Sequence, residues 1–136
     1  MTKIGKGEKI LIIDDEENLV DLISNILNHE GFVTVSAYNG KDGLEKAKQE
    51  KPHIIILDIM MPQMDGFEVL KNLKENDETK DIPVIMLTAK TEDSAVIESW
   101  RKGAEFYIPK PFEIEEILHV IELILKNKYA NTNQQN

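Results

Sequence analysis

The chain has 136 residues and not one cysteine, so disulfides, thiolate nucleophiles and cysteine-ligated metals are all excluded. Basic residues are in the minority, 16 Lys and Arg against 25 Asp and Glu, for a formal net charge of −9. Direct contact with nucleic acid or anionic lipid, which calls for a basic surface, is therefore not expected. The acid excess also serves solubility and names no partner by itself. No apolar run approaches the ~20 residues of a membrane span. Met1 to Lys9 carries lysines without an apolar core, so no signal peptide is read there. These absences lead to the expectation of a soluble cytoplasmic protein without membrane insertion. The hydrophobic share of 41% argues against wholesale disorder, and the length suits one domain with a core of its own.

The most informative stretch is Ile54-Ile55-Ile56-Leu57-Asp58. Four large apolar residues in succession cannot alternate between core and solvent, so they predict a short strand buried on both faces, as in parallel sheets. The run ends on a carboxylate, and the Pro62 and Gly66 that follow mark a loop. An acid at the carboxyl end of a central parallel strand sits where open α/β sheets bind ligands.

Lys9 to Ile13 is a second such run, ended by Asp14-Asp15-Glu16-Glu17. Leu19, Leu22, Ile23, Ile26 and Leu27 then recur at helical spacing up to Gly31. Phe32 to Ala37 reads as a strand, and Lys41 to Lys51 as a short helix whose buried side offers Leu44 and Ala47. After Asp58 come a helix from Gly66 to Glu75, a strand from Pro83 to Leu87 followed by Thr88, and a helix from Ser94 to Lys102 carrying Trp100. A last strand over Phe106 to Ile108 leads to Pro109-Lys110-Pro111-Phe112, and a final helix runs from Glu113 to about Asn127. Five strands alternating with five helices imply an α/β fold, a parallel sheet with helices on both faces. Residues 1–8 are read as an N-terminal extension, 9–127 as the domain, and 128–136 as a polar tail or the start of a linker.

In a doubly wound sheet the strand ends lie side by side, which would bring Asp14, Asp15, Asp58, Thr88 and Lys110 to one edge. Crowded carboxylates resist ionising unless a positive charge shares the site. A hard cation such as Mg²⁺ answers that need, and a lysine and a hydroxyl opposite suit an oxyanion. A carboxylate, a metal and a lysine are the parts needed to form an aspartyl phosphate.

On these residues the chain resembles the receiver domains of two-component response regulators, in particular the single-domain chemotaxis regulators. The resemblance rests on Asp14-Asp15, on Leu57-Asp58-Ile59-Met60-Met61-Pro62 with Asp65-Gly66, on Leu87-Thr88-Ala89 and on Lys110-Pro111-Phe112. It implies a flavodoxin-like sheet of order 2-1-3-4-5 and a phosphorylation switch. Asp58 would accept a phosphoryl group from the phosphohistidine of a sensor histidine kinase or phosphotransfer protein. Asp15 and Asp58 would ligate Mg²⁺ together with the Met60 backbone carbonyl, with Asp14 acting mainly through water. Lys110 would pair with Asp58 and then with a phosphoryl oxygen, Thr88 would bond another, and Tyr107 would be the switch aromatic. The Lys110-Pro111 bond would be cis. A downstream protein partner would read the state from the face formed by the fourth helix, fifth strand and fifth helix. The domain would catalyse its own phosphorylation without being an enzyme in the metabolic sense. It would stand alone, relay a phosphoryl group, or be part of a longer regulator.

Blander readings account for several features singly. Asp14 could begin a helix, Thr88 could bond local backbone, and Tyr107 and Trp100 could be core packing. Met60, Met61 and Met64 read as loop packing, and His29, His53 and His119 lack partners at ligand spacing. Val120 and Leu123 widen the apolar side of the last helix, either as core or as a partner surface. Glu105-Phe106 and the acid-rich last helix depart from the winged-helix regulators of the family. Met60 and Lys90 occupy the positions where the family tunes dephosphorylation. A haloacid-dehalogenase-like phosphatase would need an acid where Met60 stands, and a flavin mononucleotide carrier a phosphate loop where the chain has four acids. A degenerate receiver would lack part of the acid, threonine and lysine set.

Overall fold

A computed structural model describes residues 3–59, 61, 65–88 and 103–135, without the side chains of residue 88 and of those beyond 127. Its strands are β1 (Lys9–Ile13), β2 (Val33–Ala37), β3 (Ile54–Asp58), β4 (Val84–Thr88) and β5 (Phe106–Pro109). They form one five-stranded sheet in the order β2-β1-β3-β4-β5, every pairing parallel. The described helices are α1 (Glu17–His29), α2 (Gly40–Glu50), α3 (Gly66–Glu75) and a C-terminal helix (Ile114–Gln135). The helix expected over Ser94 to Lys102, with Trp100, lies outside the described residues.

The uninterrupted apolar strands follow from two separate cores. Leu11, Ile13, Ile55, Leu57, Val84 and Met86 point to one face, where α2 and α3 cover them with Ala47, Phe67, Leu70 and Leu73. Ile10, Ile12, Ile54, Ile56, Ile85 and Leu87 point to the other, beneath Val20, Ile23 and Leu27 of α1 and Ile117, Ile121 and Ile124 of the C-terminal helix. Alternate residues therefore enter opposite cores, and both need to be apolar.

The helices correct the sequence reading in places. In α1 the buried residues are Val20, Ile23 and Leu27, whereas Leu22 is 56% exposed. Three-to-four spacing through Val20 fixes that face, and Leu22 falls behind it. In α2 the buried residues are Gly40, Gly43 and Ala47, and Leu44 packs half-buried against the same core. A β-carbon on Gly43 would stand 2.6 Å from Ile13 Cδ1, so the missing side chain lets α2 lie close to β1. The C-terminal helix continues to Gln135 rather than ending near Asn127. The polar stretch from Lys128 contains neither proline nor glycine, and polarity alone does not stop a helix. Val120 packs half-buried against the second core, which supports the core reading for that residue.

The first residues are also tied down. Gly5 N and Gly7 N donate to the carbonyls of Glu30 and Gly31, each at 2.8 Å, and Ile4 packs on the second core. Gly31, at φ +98°, turns the chain from α1 toward β2.

The start of α3 bears directly on Asp58. Asp65 caps the helix by accepting from Glu68 N at 2.9 Å, and Gly66 N donates to Ile59 O at 2.7 Å. A β-carbon on Gly66 would collide with the Asp58 carbonyl oxygen and stand 2.6 Å from Ile59 Cα. Both obstacles are backbone and cannot rotate away. Gly66→Ala is therefore expected to cost about 1–3 kcal/mol, the scale of overpacking. Urea denaturation would measure it as a lower midpoint at unchanged slope.

Candidate functional site: an acid pocket around Lys110

The register of the sheet assembles the site. Ile13 pairs with Leu57 across β1 and β3, so Asp14, next in the chain, comes beside Asp58. Asp58 pairs with Leu87, and Thr88 with Pro109, which brings Lys110 to the same edge from β5. Asp14 and Asp58 are only 1% and 3% exposed, whereas Asp15 faces solvent. One carboxylate oxygen from each of Asp14, Asp15 and Asp58 lies within 4.8 Å of the others.

Lys110 serves several acids at once. Its Nζ is 3.2 Å from Asp14 Oδ2, 3.5 Å from Glu16 Oε1 and 3.6 Å from Asp58 Oδ1. Asp14 Oδ1 also accepts from Glu16 N at 3.0 Å. Burial raises the Asp14 carboxyl above its usual pKa, although the Glu16 amide and the Lys110 charge pull the other way. Burial by itself would lower the Lys110 ammonium, yet Asp14, Asp58 and Glu16 together outweigh it and hold its pKa above the ordinary lysine value.

The donor set suits a divalent cation. It consists of hard carboxylate oxygens, two of them on buried residues, with one ammonium to offset three negative charges. Mg²⁺ favours such ligands, taking one or two carboxylates and keeping water for the remaining positions.

The other expected residues divide. Tyr107, half-buried in β5, packs against the core beneath α2 and α3, opposite Met86, and burial raises its pKa. The backbone of Thr88 ends β4 as expected. The Thr88 side chain, Met60 and Lys90 lie outside the described residues. The Lys110-Pro111 bond is cis. Glu105 is accounted for at the far end of the sheet. It accepts from Val84 N at 2.6 Å and from Lys74 Nζ at 3.1 Å, tying the starts of β4 and β5 to α3. Among the described residues, Glu16 is a member of the site that sequence reasoning passed over. Its place in a run of four acids gave no signal that its side chain would cross to Lys110.

Residues 10–122 match the model of the response regulator receiver domain. The chain belongs to that family. Among curated relatives, it is 39% identical over 120 residues to the alkaline phosphatase synthesis transcriptional regulatory protein PhoP of Bacillus subtilis, covering 88% of this chain and 49% of PhoP. It is 37% identical over 129 residues to the transcriptional regulatory protein SrrA of Staphylococcus aureus, covering 95% of this chain and 52% of SrrA. The chain thus spans about half the length of the curated relatives it matches. Among solved structures, the chemotaxis protein CheY4 of Vibrio cholerae superposes with a TM-score of 0.82 at 30% identity, over 87% of this chain and 98% of CheY4. The receiver domain of the Francisella response regulator 1452 gives 0.83 at 30% identity, over 90% and 99%. The fold is therefore the five-stranded, flavodoxin-like receiver fold, and the chain is a response regulator receiver of a two-component system.

The raised Asp14 carboxyl has a consequence for stability. A carboxyl that holds its proton more tightly when folded makes the fold lose stability as pH rises from the unfolded-state value through the folded one. In chelator-containing buffer Asp14→Asn should therefore melt a few degrees above the wild-type chain at pH 7. The gap should close near pH 3, where both forms are neutral. Thermal melts across that range would check it, and an Asp14→Asn variant less stable at pH 7 would contradict it.

Proposed function

We propose that this receiver is a phosphoacceptor switch in which Asp58 takes a phosphoryl group from the phosphohistidine of a sensor histidine kinase or phosphotransfer protein. The observation that carries the reading is the buried Asp58 carboxylate, clustered with those of Asp14 and Asp15 and 3.6 Å from the Lys110 ammonium. One Asp58 Oδ attacks phosphorus, the P–N bond to the imidazole breaks, and the departing nitrogen keeps the electron pair until it is protonated. Lys110, held at the pocket by its three acids, offsets charge on the transferring group. The Asp58 side chain is itself 3% exposed, so little water reaches the carboxylate. Asp15 and Asp58, with the Met60 carbonyl, would hold Mg²⁺, and Asp14 would act mainly through water. When bound, the cation supplies the positive charge that lets the three acids and the phosphoryl oxygens share one pocket. Self-catalysed phosphorylation of this kind, and the matching dephosphorylation, are the only chemistry proposed.

Thr88 would bond a second phosphoryl oxygen, and Tyr107 would turn inward with it. The reporting face would comprise the region expected over Ser94 to Lys102, β5 and the C-terminal helix, where a downstream protein partner gains or loses affinity. Residues 9–127 would form the working domain, with 1–8 as an extension and 128–136 as a tail or linker. The relatives described as transcriptional regulators make a regulator of gene expression one setting for that output. No helix among the described residues is long and apolar enough to cross a membrane, and we place the chain in the cytoplasm on its family membership.

Incubation with acetyl phosphate and Mg²⁺ should add one phosphoryl group by intact mass, and Asp58→Asn should add none. Lys110→Ala should slow the gain about 100-fold, the scale of losing a charge-stabilising donor. Chelating Mg²⁺ should abolish it. Failure of the wild-type chain with both acetyl phosphate and a phosphohistidine donor would overturn the reading.

A further inference from the structure

The caps of the first three helices differ in one respect. Asn39 caps α2 and Asp65 caps α3, each with its side chain accepting from a backbone N–H of the first turn. Glu16 caps α1 by position, yet its side chain makes no such bond. Its carboxylate instead reaches Lys110, 94 residues away, at 3.5 Å. The helix forgoes the local bond that an N-cap side chain ordinarily makes. The Glu16 amide is meanwhile fixed by Asp14 Oδ1 at 3.0 Å. The base of the Glu16 side chain is thus anchored at the rim of the pocket.

Lys110 is therefore divided between two kinds of partner. Asp14 and Asp58 hold it from inside, their side chains 2% and 3% exposed, while Glu16 holds it from the solvent side at 64% exposed. Asp58, the group that the proposed chemistry needs Lys110 to reach, is the most distant of the three at 3.6 Å. An ammonium has three N–H donors, so with one directed to Glu16 only two remain for Asp14, Asp58 and any group that joins them.

We infer that Glu16 is a positioning residue, a displaceable outer anchor that keeps Lys110 drawn toward the rim until a phosphoryl group competes for it. The inference rests on the phosphoacceptor reading of Asp58 and extends it to a residue outside the acid, threonine and lysine set. A phosphorylated Asp58 offers Lys110 more negative charge than Glu16 does, so Lys110 swings inward and Glu16 is released to solvent. Glu16 then acts as a brake on phosphorylation, since each Lys110 must leave it first. Its exposure keeps the brake weak and screened by salt.

The test compares Glu16→Gln with Glu17→Gln, which removes the same charge from the next residue, at the start of α1. The first readout is the NMR correlation of the Lys110 ammonium in the metal-free, unphosphorylated chain, assigned by its loss in Lys110→Arg. Glu16→Gln should shift it, and Glu17→Gln should leave it in place. The second is the slope of phosphorylation rate against acetyl phosphate concentration with Mg²⁺ present. Glu16→Gln should raise the slope about two- to fivefold, the scale of an exposed ion pair, and the gain should shrink in high salt. Glu17→Gln should change it little. An unshifted ammonium signal would overturn the anchor. Equal gains in both variants would overturn it in favour of plain charge repulsion of the donor. A wild-type chain that takes no phosphoryl group would instead sink the phosphoacceptor reading and the braking role with it, while the ammonium signal would still judge the Glu16–Lys110 contact itself.

Discussion

The structure turns on a charge imbalance set at the sheet edge. Asp14 and Asp58 are buried side by side, and the ammonium that answers them comes from a strand the chain reaches some 96 residues later. Removing Lys110 would leave both buried carboxylates without their cation, which costs far more than a surface ion pair is worth. Even with Lys110 in place the acids outnumber it, so the pocket is electrostatically unfinished. Its oxygen ligands and excess negative charge are of the kind a divalent cation takes.

The rest of the fold keeps those few groups in register. Strands apolar on both faces fix β1 and β3 against two cores at once, so a slip of one residue would push large side chains into the wrong layer. The glycines at 43 and 66 bring α2 and α3 close to the sheet on the side facing away from α1. Gly66 in particular seats the helix after the Asp58 loop against the backbone of Asp58 itself. Glu105 and Lys74 perform a comparable task at the opposite end of the sheet, with no tie to the chemistry.

Much of this was legible in the residues. The runs Lys9 to Ile13 and Ile54 to Asp58 announced a parallel sheet because no half-exposed strand could carry them. The polar residues at the ends of every strand but the second then pointed to a shared edge, where Asp14, Asp58 and Lys110 do meet. Less legible was whatever depended on close approach rather than on hydrophobicity. Gly43 has no place in an apolar stripe, although its lack of a side chain is what lets the helix pack. Leu22 matched the helical spacing but fell on the wrong side, since which stripe turns inward is settled by the sheet below. Glu16 was hidden because an exposed acid among acids has no pattern; its partner is visible only in three dimensions. The extent of the C-terminal helix was underestimated because a polar sequence was equated with an end, when nothing in it breaks a helix.

The distance along the chain between the acids and their lysine also bears on how the molecule is made. In chain order β1 and β3, with Asp14 and Asp58 at their ends, precede β5 by many residues. In the finished fold those two carboxylates are buried, and burial without an ammonium beside them would be costly. Docking of the last strand both seals the sheet and neutralises part of the pocket. A chain cut short before Lys110 would keep its two buried acids and lack the ammonium that answers them.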